Sequence, residues 1–294
     1  MEAVRRVTYE LFPNHYVISL PTHLFGGRKA RRMIKAAELS IVGGTNLLSS
    51  NMALYRQWRI SLVDALNMRN AVLLGVGWWQ YQRAPSPFTA LLLKASLDTR
   101  RWHSVRDGYT KRQLLHAGIS NTINTACPTL WHIDAQQLSR QSQKKPDSVV
   151  ATLTFYNKNE ERDRALLNSL RSLYRTRYFW PQGLHDHDYA ARVLGLDGFH
   201  VLPPTLTSLD EILSDGADYI GTRLHAGIRA MQKGRYTRIL PIDNRANEMA
   251  LDFGIPLLES TTMEDVTRAA CDNRSVALLV PHSRITEWKT KLFL

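Results

Sequence analysis

The stretch GTRLHAGI, residues 221–228, places an arginine and a histidine two positions apart, after an apolar run and before a helix-like segment. Arg223 can bind a phosphate or carboxylate through two parallel hydrogen bonds, and His225 carries a side chain that titrates near neutrality. The free N–H groups at a helix N-terminus also favour an anion. The stretch therefore predicts anion capture combined with proton transfer. The alternative is a solvated Arg223 and a His225 that only packs and forms hydrogen bonds.

Two glycine-containing stretches could bring a substrate close to the chain. SIVGGTNLL at 40–48 has glycines after a short strand, so backbone could approach a ligand there, with Thr45 and Asn46 as contacts for a sugar or a carboxylate. A plain tight turn explains these glycines equally well. GVGWW at 75–79 also ends a strand, where the indoles could stack on a sugar face or simply pack.

The run HDHD at 185–188 has the residue types of a metal site. Its aspartates alternate with His185 and His187 at a predicted helix start, where aspartates cap the helix. The interpretation as a helix start is favoured, and we predict no metal.

Short apolar segments alternate with helix-like segments along the chain. Strands are expected at 16–20, 40–44, 71–78, 102–106, 149–155, 177–180, 199–203, 218–221, 238–242 and 255–259. Capping residues mark helix starts and ends: Ser208 with Glu211, Thr262 with Asp265, Gly234 and Gly254. This alternation is typical of βα units, so the expected fold class is α/β with parallel sheets. Gly221 and Thr222 would end a strand, and Arg223 to His225 would begin the next helix.

The polar segment DAQQLSRQSQKKPDS, residues 134–148, has no apolar period and ends in a turn cluster, which favours a linker. With a length of 294 residues, this predicts two Rossmann-like domains, 1–140 and 148–294, facing one another across a cleft. The last helix could cross back onto the first domain. Ligands are expected at the carboxyl ends of the parallel strands.

The composition limits the classes of partner and the cellular compartment that we expect for this protein. The formal net charge of +12 favours anionic partners, but the basic residues are spread along the chain and form no nucleic-acid-binding motif, so nucleic acid is not expected. No apolar run approaches the roughly 20 residues that span a bilayer, and no export signal is evident. We expect a cytoplasmic protein with reduced thiols. The helix-like stretch 161–179 is either an ordinary surface helix or a contact with an anionic membrane.

Four stretches together carry a resemblance. IGTRLHAGIRAMQKG resembles the C-terminal signature of the polysaccharide pyruvyl transferase family, and HSVRDGYTKRQLLHAGI at 103–119, SIVGGTNLL, and IDNRANEMALDFGIP at 242–256 resemble further family segments in the same order. The resemblance covers roughly residues 38–260. Three features depart from the family pattern. The family's Asn-x-Gly-Asp turn is missing before residue 40, and CPTL stands at 127–130 where the family commonly has Asp-Pro. At 243–245 the family more usually has a lysine, whereas this sequence has Arg245.

The resemblance implies a two-domain fold similar to that of GT-B glycosyltransferases, with the acceptor on the first domain and the donor on the second. It implies transfer of the enolpyruvyl unit of phosphoenolpyruvate to hydroxyls of a polysaccharide or lipid-linked saccharide, usually as a ketal, in building the bacterial cell envelope. Phosphoenolpyruvate is a co-substrate, and no cofactor is implied. A nucleotide-sugar glycosyltransferase stays open as the alternative, as does a non-catalytic basic scaffold.

The resemblance and the chemistry of this donor assign the candidate residues. His225 would be the acid and Arg223 the anion clamp, while Asp107 is either a base or the cap of the following helix. The donor-binding residues expected are Thr222, Arg223, Leu224, His225 and Arg106. Further substrate contacts are expected at Gly44, Thr45, Asn46, Asn244 and Arg245.

Overall fold

The computed structural model describes residues 2–24, 26–68, 70–134, 138, 145–271 and 276–293. The chain divides into two compact units, Met1–Trp131 with Val280–Leu294, and His132–Leu279. Residues 135–137 and 139–144 of the expected linker lie outside the described residues. None of the described helices is long and apolar enough to cross a membrane.

The first unit contains four parallel strands. They are β1 (Ser40–Gly43), β2 (Ala71–Leu74), β3 (His103–Val105) and β4 (Thr122–Asn124). β1 pairs with β2 and β3 with β4, and a bridge between Val76 and Val105 joins the two pairs just beyond β2. All four residues of β2 are buried, as expected of a parallel strand covered on both faces.

Helices cover these strands on both faces. They are α1 (Glu2–Leu11), α2 (Arg28–Ala36), α3 (Leu62–Asn67), α4 (Pro87–Ser96) and α5 (Gly108–His116). Leu47, Leu73 and Trp78 pack with Leu92 and Leu93 of α4 in one buried cluster. The Asp107 side chain accepts a hydrogen bond from the Thr110 N–H and caps α5, which confirms the capping role expected of it.

The second unit contains a five-stranded parallel sheet. Its strands are β5 (Ser148–Thr152), β6 (Thr176–Phe179), β7 (His200–Val201), β8 (Asp218–Gly221) and β9 (Thr237–Ile239), in the order β7-β6-β5-β8-β9. This is the doubly wound order. The chain adds β6 and β7 on one side of β5 and then returns to add β8 and β9 on the other side. The carboxyl ends of β5 and β8 therefore form the crevice where such sheets bind ligands.

The helices of the second unit alternate with its strands. They are α6 (Glu160–Leu173), α7 (Leu184–Tyr189), α8 (Leu206–Ser214), α9 (Leu224–Gln232), α10 (Asn244–Phe253) and α11 (Met263–Cys271). Gly254 ends α10 in the left-handed conformation, at φ +72°, as the sequence predicts. The expectation of an α/β fold with parallel sheets is confirmed.

The last helix, α12 (His282–Leu292), belongs to the first unit. Trp288 and Leu292 are buried in one cluster with Val7 of α1 and Val72 of β2. The Trp288 indole N–H donates to the Trp102 carbonyl at 2.8 Å. The first unit is thus built from two separate stretches of chain.

Several local expectations are wrong. Residues 16–20 form no strand: Tyr16 is 92% exposed, and the alternating pattern has no neighbouring strand with which to pair. The segment 255–259 forms only a bridge. Strand β4 was missed because its sequence, TIN, has one apolar residue between two polar ones. Ser208 lies inside α8, because Thr205, three residues earlier, caps this helix.

Candidate functional site

The carboxyl ends of β5 and β8 meet through polar side chains. Thr152 pairs with Gly221 across the two strands. Just beyond, the hydroxyl groups of Thr154 and Thr222 lie 2.8 Å apart, and the Arg223 N–H donates to the Thr152 hydroxyl at 3.2 Å. The arginine motif therefore sits at the reversal point of the sheet, where an anionic ligand is expected.

Helix α9 begins at this point, and its N-cap residue makes no side-chain capping hydrogen bond. Arg223 is its N-cap residue, Leu224 is buried, and His225 is exposed. By contrast, Asp107 and Thr205 cap α5 and α8 with their side chains. The start of α9 thus lacks the N-cap side-chain oxygen found at α5 and α8, and its helix dipole favours an oxyanion there.

The Arg223 guanidinium is fixed by a residue that sequence reasoning assigned to helix capping. Its Nη2 donates to Oδ2 of Asp186, and Oδ1 of Asp186 accepts from the Phe155 N–H at 3.0 Å. Asp186 is 2% exposed and lies in the third position of α7, which starts after Gly183, so it does not cap this helix. The buried Nε of Arg223 has no hydrogen-bond partner among the described residues. Buried donors are nearly always paired, so this Nε is suited to bind an acceptor such as a ligand oxygen.

Tyr156 contacts two arginines of the candidate site, Arg223 and Arg245. The Arg223 guanidinium lies over its ring, 5.2 Å from the centroid, and Nη2 of Arg245 donates to its hydroxyl at 2.6 Å. Burial opposes the charge of Arg245, but hydrogen bonds and attraction from Asp243 raise its pKa above the usual value. The structure therefore brings Arg223 and Arg245 together at Tyr156, which the sequence did not single out.

A buried tyrosine holds the backbone of the arginine motif. The Tyr219 hydroxyl donates to the Arg223 carbonyl at 2.8 Å and lies 2.6 Å from the Thr152 hydroxyl. Burial raises the pKa of Tyr219, so it stays a neutral donor. Asn244, also expected at the site, is buried as the first residue of α10.

Arg106, in the first unit, is enclosed rather than open to solvent. It is 1% exposed, and it donates to Asn46 at 2.5 Å and to Asp107 at 3.2 Å. A Cβ atom on Gly77 would lie 2.1 Å from its guanidinium, so only glycine permits this contact. A donor anion could reach Arg106 only by displacing groups such as Asn46.

The glycine-rich turn packs against the first helix. A Cβ atom on Gly44 would lie 3.1 Å from Val4 of α1. The Thr45 carbonyl accepts from the Gly77 N–H at 2.9 Å, which places Asn46 and Arg106 at the same edge as the end of β2. Packing therefore accounts for Gly44, while Thr45 and Asn46 remain partly exposed.

Of the two tryptophans after β2, only one can meet a sugar. Trp78 is fully buried, and its indole N–H donates to Ser50 and Gln82, so the stacking role is wrong for it. Trp79 is half-buried and packs on the exposed Tyr55, with ring centroids 4.7 Å apart. Gln80 adopts a left-handed conformation, at φ +57°, which costs energy for a residue with a Cβ and often marks a functional site.

Each unit thus assembles its own set of candidate residues, one around Arg106 and Asn46 and one around Arg223, Tyr156 and Arg245. His225 is the second residue of α9, next to Leu224 and two positions after Arg223. Within the described ranges, no group of three or more His, Cys, Asp or Glu side chains could hold a metal ion.

The model of the polysaccharide pyruvyl transferase family matches residues 1–244, a range that includes all the candidate motifs through Asn244. A solved structure described as an S. aureus MnaA–UDP co-structure is similar over 94% of this chain and 81% of that chain, with a TM-score of 0.53 and 11% identity. At that identity the likeness shows the fold alone. No curated protein matches the chain.

Proposed function

The chain belongs to the polysaccharide pyruvyl transferase family, and we propose that it moves the enolpyruvyl unit of phosphoenolpyruvate onto sugar hydroxyls as a ketal. The family supports pyruvyl transfer in glycan biosynthesis. The donor, the ketal and a lipid-linked acceptor are the parts that we propose. The observation that carries the proposal is the orphaned Nε of Arg223 beside the uncapped N-terminus of α9.

Phosphoenolpyruvate carries two anionic groups, and the second unit offers two fixed guanidinium groups that both contact Tyr156. Arg223 and the first N–H groups of α9 are suited to the phosphate, because planar N–H pairs and helix dipoles both favour its oxygens. Arg245 contacts the same tyrosine as Arg223 and supplies a second positive charge for the carboxylate. Thr222 is included in the site because it directly follows β8 at the carboxyl end of this strand.

The proposed chemistry starts with a proton added to the methylene carbon of the donor. The resulting positive character at C2 is attacked by one sugar hydroxyl oxygen, phosphate then leaves, and a second hydroxyl of the same acceptor closes the ketal. Of the two hydroxyl protons released, one balances the new methyl group and the other balances the departing phosphate. His225 is assigned to proton delivery, because it is exposed at the helix start and histidine is the side chain best suited to proton transfer near neutral pH.

The acceptor is assigned to the first unit. Thr45, Asn46 and Trp79 lie at the carboxyl edge of β1 and β2, where a sugar could receive hydrogen bonds and stack on an indole. Asp107 is not the base for the sugar hydroxyl, because one of its oxygens caps α5 and the other binds Arg106. We assign no base.

Turnover with defined saccharides tests the proposal. Incubation with phosphoenolpyruvate should release phosphate and add the mass of pyruvate less one water to the acceptor, as measured by mass spectrometry. The alternative is a nucleotide-sugar glycosyltransferase, for which the similar fold of a UDP-bound structure is the motive. Sugar transfer with nucleotide release, and none with phosphoenolpyruvate, would contradict the proposal. Salt-sensitive binding of anions without turnover would instead indicate a scaffold.

We place the enzyme in the cytoplasm, at the inner face of the membrane when its acceptor is lipid-linked. That location requires some surface that contacts lipid.

A further inference from the structure

Helix α2 presents four uncompensated positive charges to solvent. Its sequence, RKARRMIKA, has five cationic residues and no acidic one, and none of its residues is buried. Arg31 pairs with Asp64 of α3 at 2.6 Å. The other cations are exposed, and within the described part of the chain they have no ion-pair or hydrogen-bond partner: Arg28, Lys29, Arg32 and Lys35.

The neighbouring helix α3 exposes an apolar face. Leu62, Val63 and Leu66 are 39%, 55% and 52% exposed. A groove of about 580 Å³ between the two helices is lined by Ile34 and Lys35 of α2 and by Leu66, Asn67 and Asn70. Cations and large apolar side chains therefore share one surface, which single scattered apolar residues would not produce.

The segment before α2 extends this surface. Its Thr22 carbonyl accepts from the Arg59 N–H at 2.9 Å, so it runs beside the residues that lead into α3. Leu24, at its end, is 62% exposed. A fourth exposed apolar side chain thus precedes the cationic helix.

Helix α6, the membrane contact considered from sequence, has no such free charge. Its arginines bind within the second unit: Arg162 pairs with Asp163, Arg164 donates to the carbonyls of Val193 and Leu194, and Arg171 donates to those of Gly195 and Asp197. These guanidinium groups hold the chain after α7 in place. Helix α6 is a packed surface helix.

We propose that α2 and α3 form a docking surface for a membrane containing anionic lipid. Cations at the interface attract the headgroups, and the exposed leucines and valine enter the boundary with the acyl chains. A nucleic acid would satisfy the cations but leave the apolar face in water, which favours lipid. The purpose of this surface rests on the proposed function, since a lipid-linked acceptor lies in a membrane, but its test needs neither donor nor acceptor.

Co-sedimentation of the whole chain with vesicles tests this surface. The protein should bind vesicles made of equal parts phosphatidylglycerol and phosphatidylcholine, and binding to phosphatidylcholine alone should be much weaker. Each cation near an anionic leaflet changes partitioning about fivefold, so the double variant R28Q/R32Q should bind about 25-fold less tightly. Replacing Val63 and Leu66 with Gln should also weaken binding, and this loss should persist at high salt.

A matched control separates a local surface from the bulk charge of the chain. R175Q/R192Q removes the same charge from two exposed positions of the second unit and should leave vesicle binding unchanged. Equal loss in both double variants would overturn the proposal, because it would assign binding to the net charge of +12. Equal binding to neutral vesicles, or binding of heparin and not of vesicles, would overturn it as well. Pyruvyl transfer to a water-soluble acceptor is measured separately and can fail or succeed independently.

Discussion

The carboxylate of Asp186 binds Nη2 of Arg223 with one oxygen and the backbone N–H of Phe155 with the other. Asp186 of α7 therefore links the segment that follows β5 to the segment that follows β8. The guanidinium is held in a single orientation with its Nε left for another acceptor. Asp186 is thus a positioning residue for the arginine that we assign to the donor.

Asp186→Asn should weaken donor binding more than it slows the chemistry. The amide keeps the shape but loses a charge-assisted hydrogen bond, so KM for phosphoenolpyruvate should rise about tenfold with a smaller change in kcat. Steady-state kinetics measures this split. Asp188→Asn, an exposed position on the same helix, is the control and should behave like the wild type. A fall in kcat at constant KM would contradict the positioning role.

Arg223 and His225 should differ in kinetic effect. Arg223→Ala should weaken donor binding severely, because it removes the clamp, whereas His225→Ala should lower kcat by about 10²-fold to 10⁴-fold with KM better kept. Donor titrations and initial rates distinguish the two effects. His282→Ala, an exposed histidine at the start of α12, should change neither. Wild-type turnover in both site variants would show that the site is assigned wrongly.

The sequence predicted the position of this pair but not its surroundings. Strand, turn and helix around residues 221–228 follow from local apolar and capping patterns, which the structure reproduces at β8 and α9. Asp186 and Tyr156 lie 37 and 67 positions away from Arg223, and such contacts depend on sheet order, which no local pattern contains. The family resemblance, confirmed by the family model, supplied the chemistry.

His103 should make the stability of the first unit depend on pH. Desolvation by burial lowers its pKa from 6.5 to about 4, with a smaller opposing effect from Asp98. Its Nδ1 accepts from the Leu73 N–H, so it is held neutral. Between pH 6.5 and 4 the unfolded chain takes up a proton that the folded chain does not, so stability should fall as pH falls through this window, by on the order of 3 kcal/mol.

Urea unfolding at pH 7.5 and pH 5 checks this dependence. His103→Gln should flatten the curve between these values, since no titrating group is left at that position. A wild-type unfolding midpoint that is unchanged between them would contradict the assignment. Carboxylates such as Asp210, whose pKa the Arg229 hydrogen bond lowers, act only at still lower pH.

Arg106→Leu should destabilise the protein strongly. The change leaves the buried carboxylate of Asp107 without its cation and Asn46 without its donor, which typically costs about 3 to 5 kcal/mol. Chemical denaturation measures the loss. Arg6→Gln removes an arginine from an exposed pair with Glu10 and should cost less than about 1 kcal/mol. A small effect of Arg106→Leu would indicate that Arg106 is held for ligand binding and not for folding.

Local patterns also explain which elements sequence reasoning placed and which it missed. AVLL at 71–74 is apolar throughout because it is covered on both faces, so its strand was predictable. The stretch YVISL at 16–20 is also largely apolar, but its Tyr16, Ile18 and Leu20 are exposed, and β4, with the sequence TIN, has no apolar run. Whether a segment is buried depends on which other segments pack against it, and the segment's own sequence does not contain that information.

The return of α12 to the first unit affects the order in which the chain can fold during synthesis. The second unit is continuous in sequence, so all of its strands are available once residue 279 has been made. Residues up to 131 of the first unit leave the ribosome earlier, but the cluster around Val7 and Val72 lacks Trp288 until after the second unit has been made. The first unit is therefore the later of the two to close its core, and its unfinished apolar surface would be open to chaperones in the meantime.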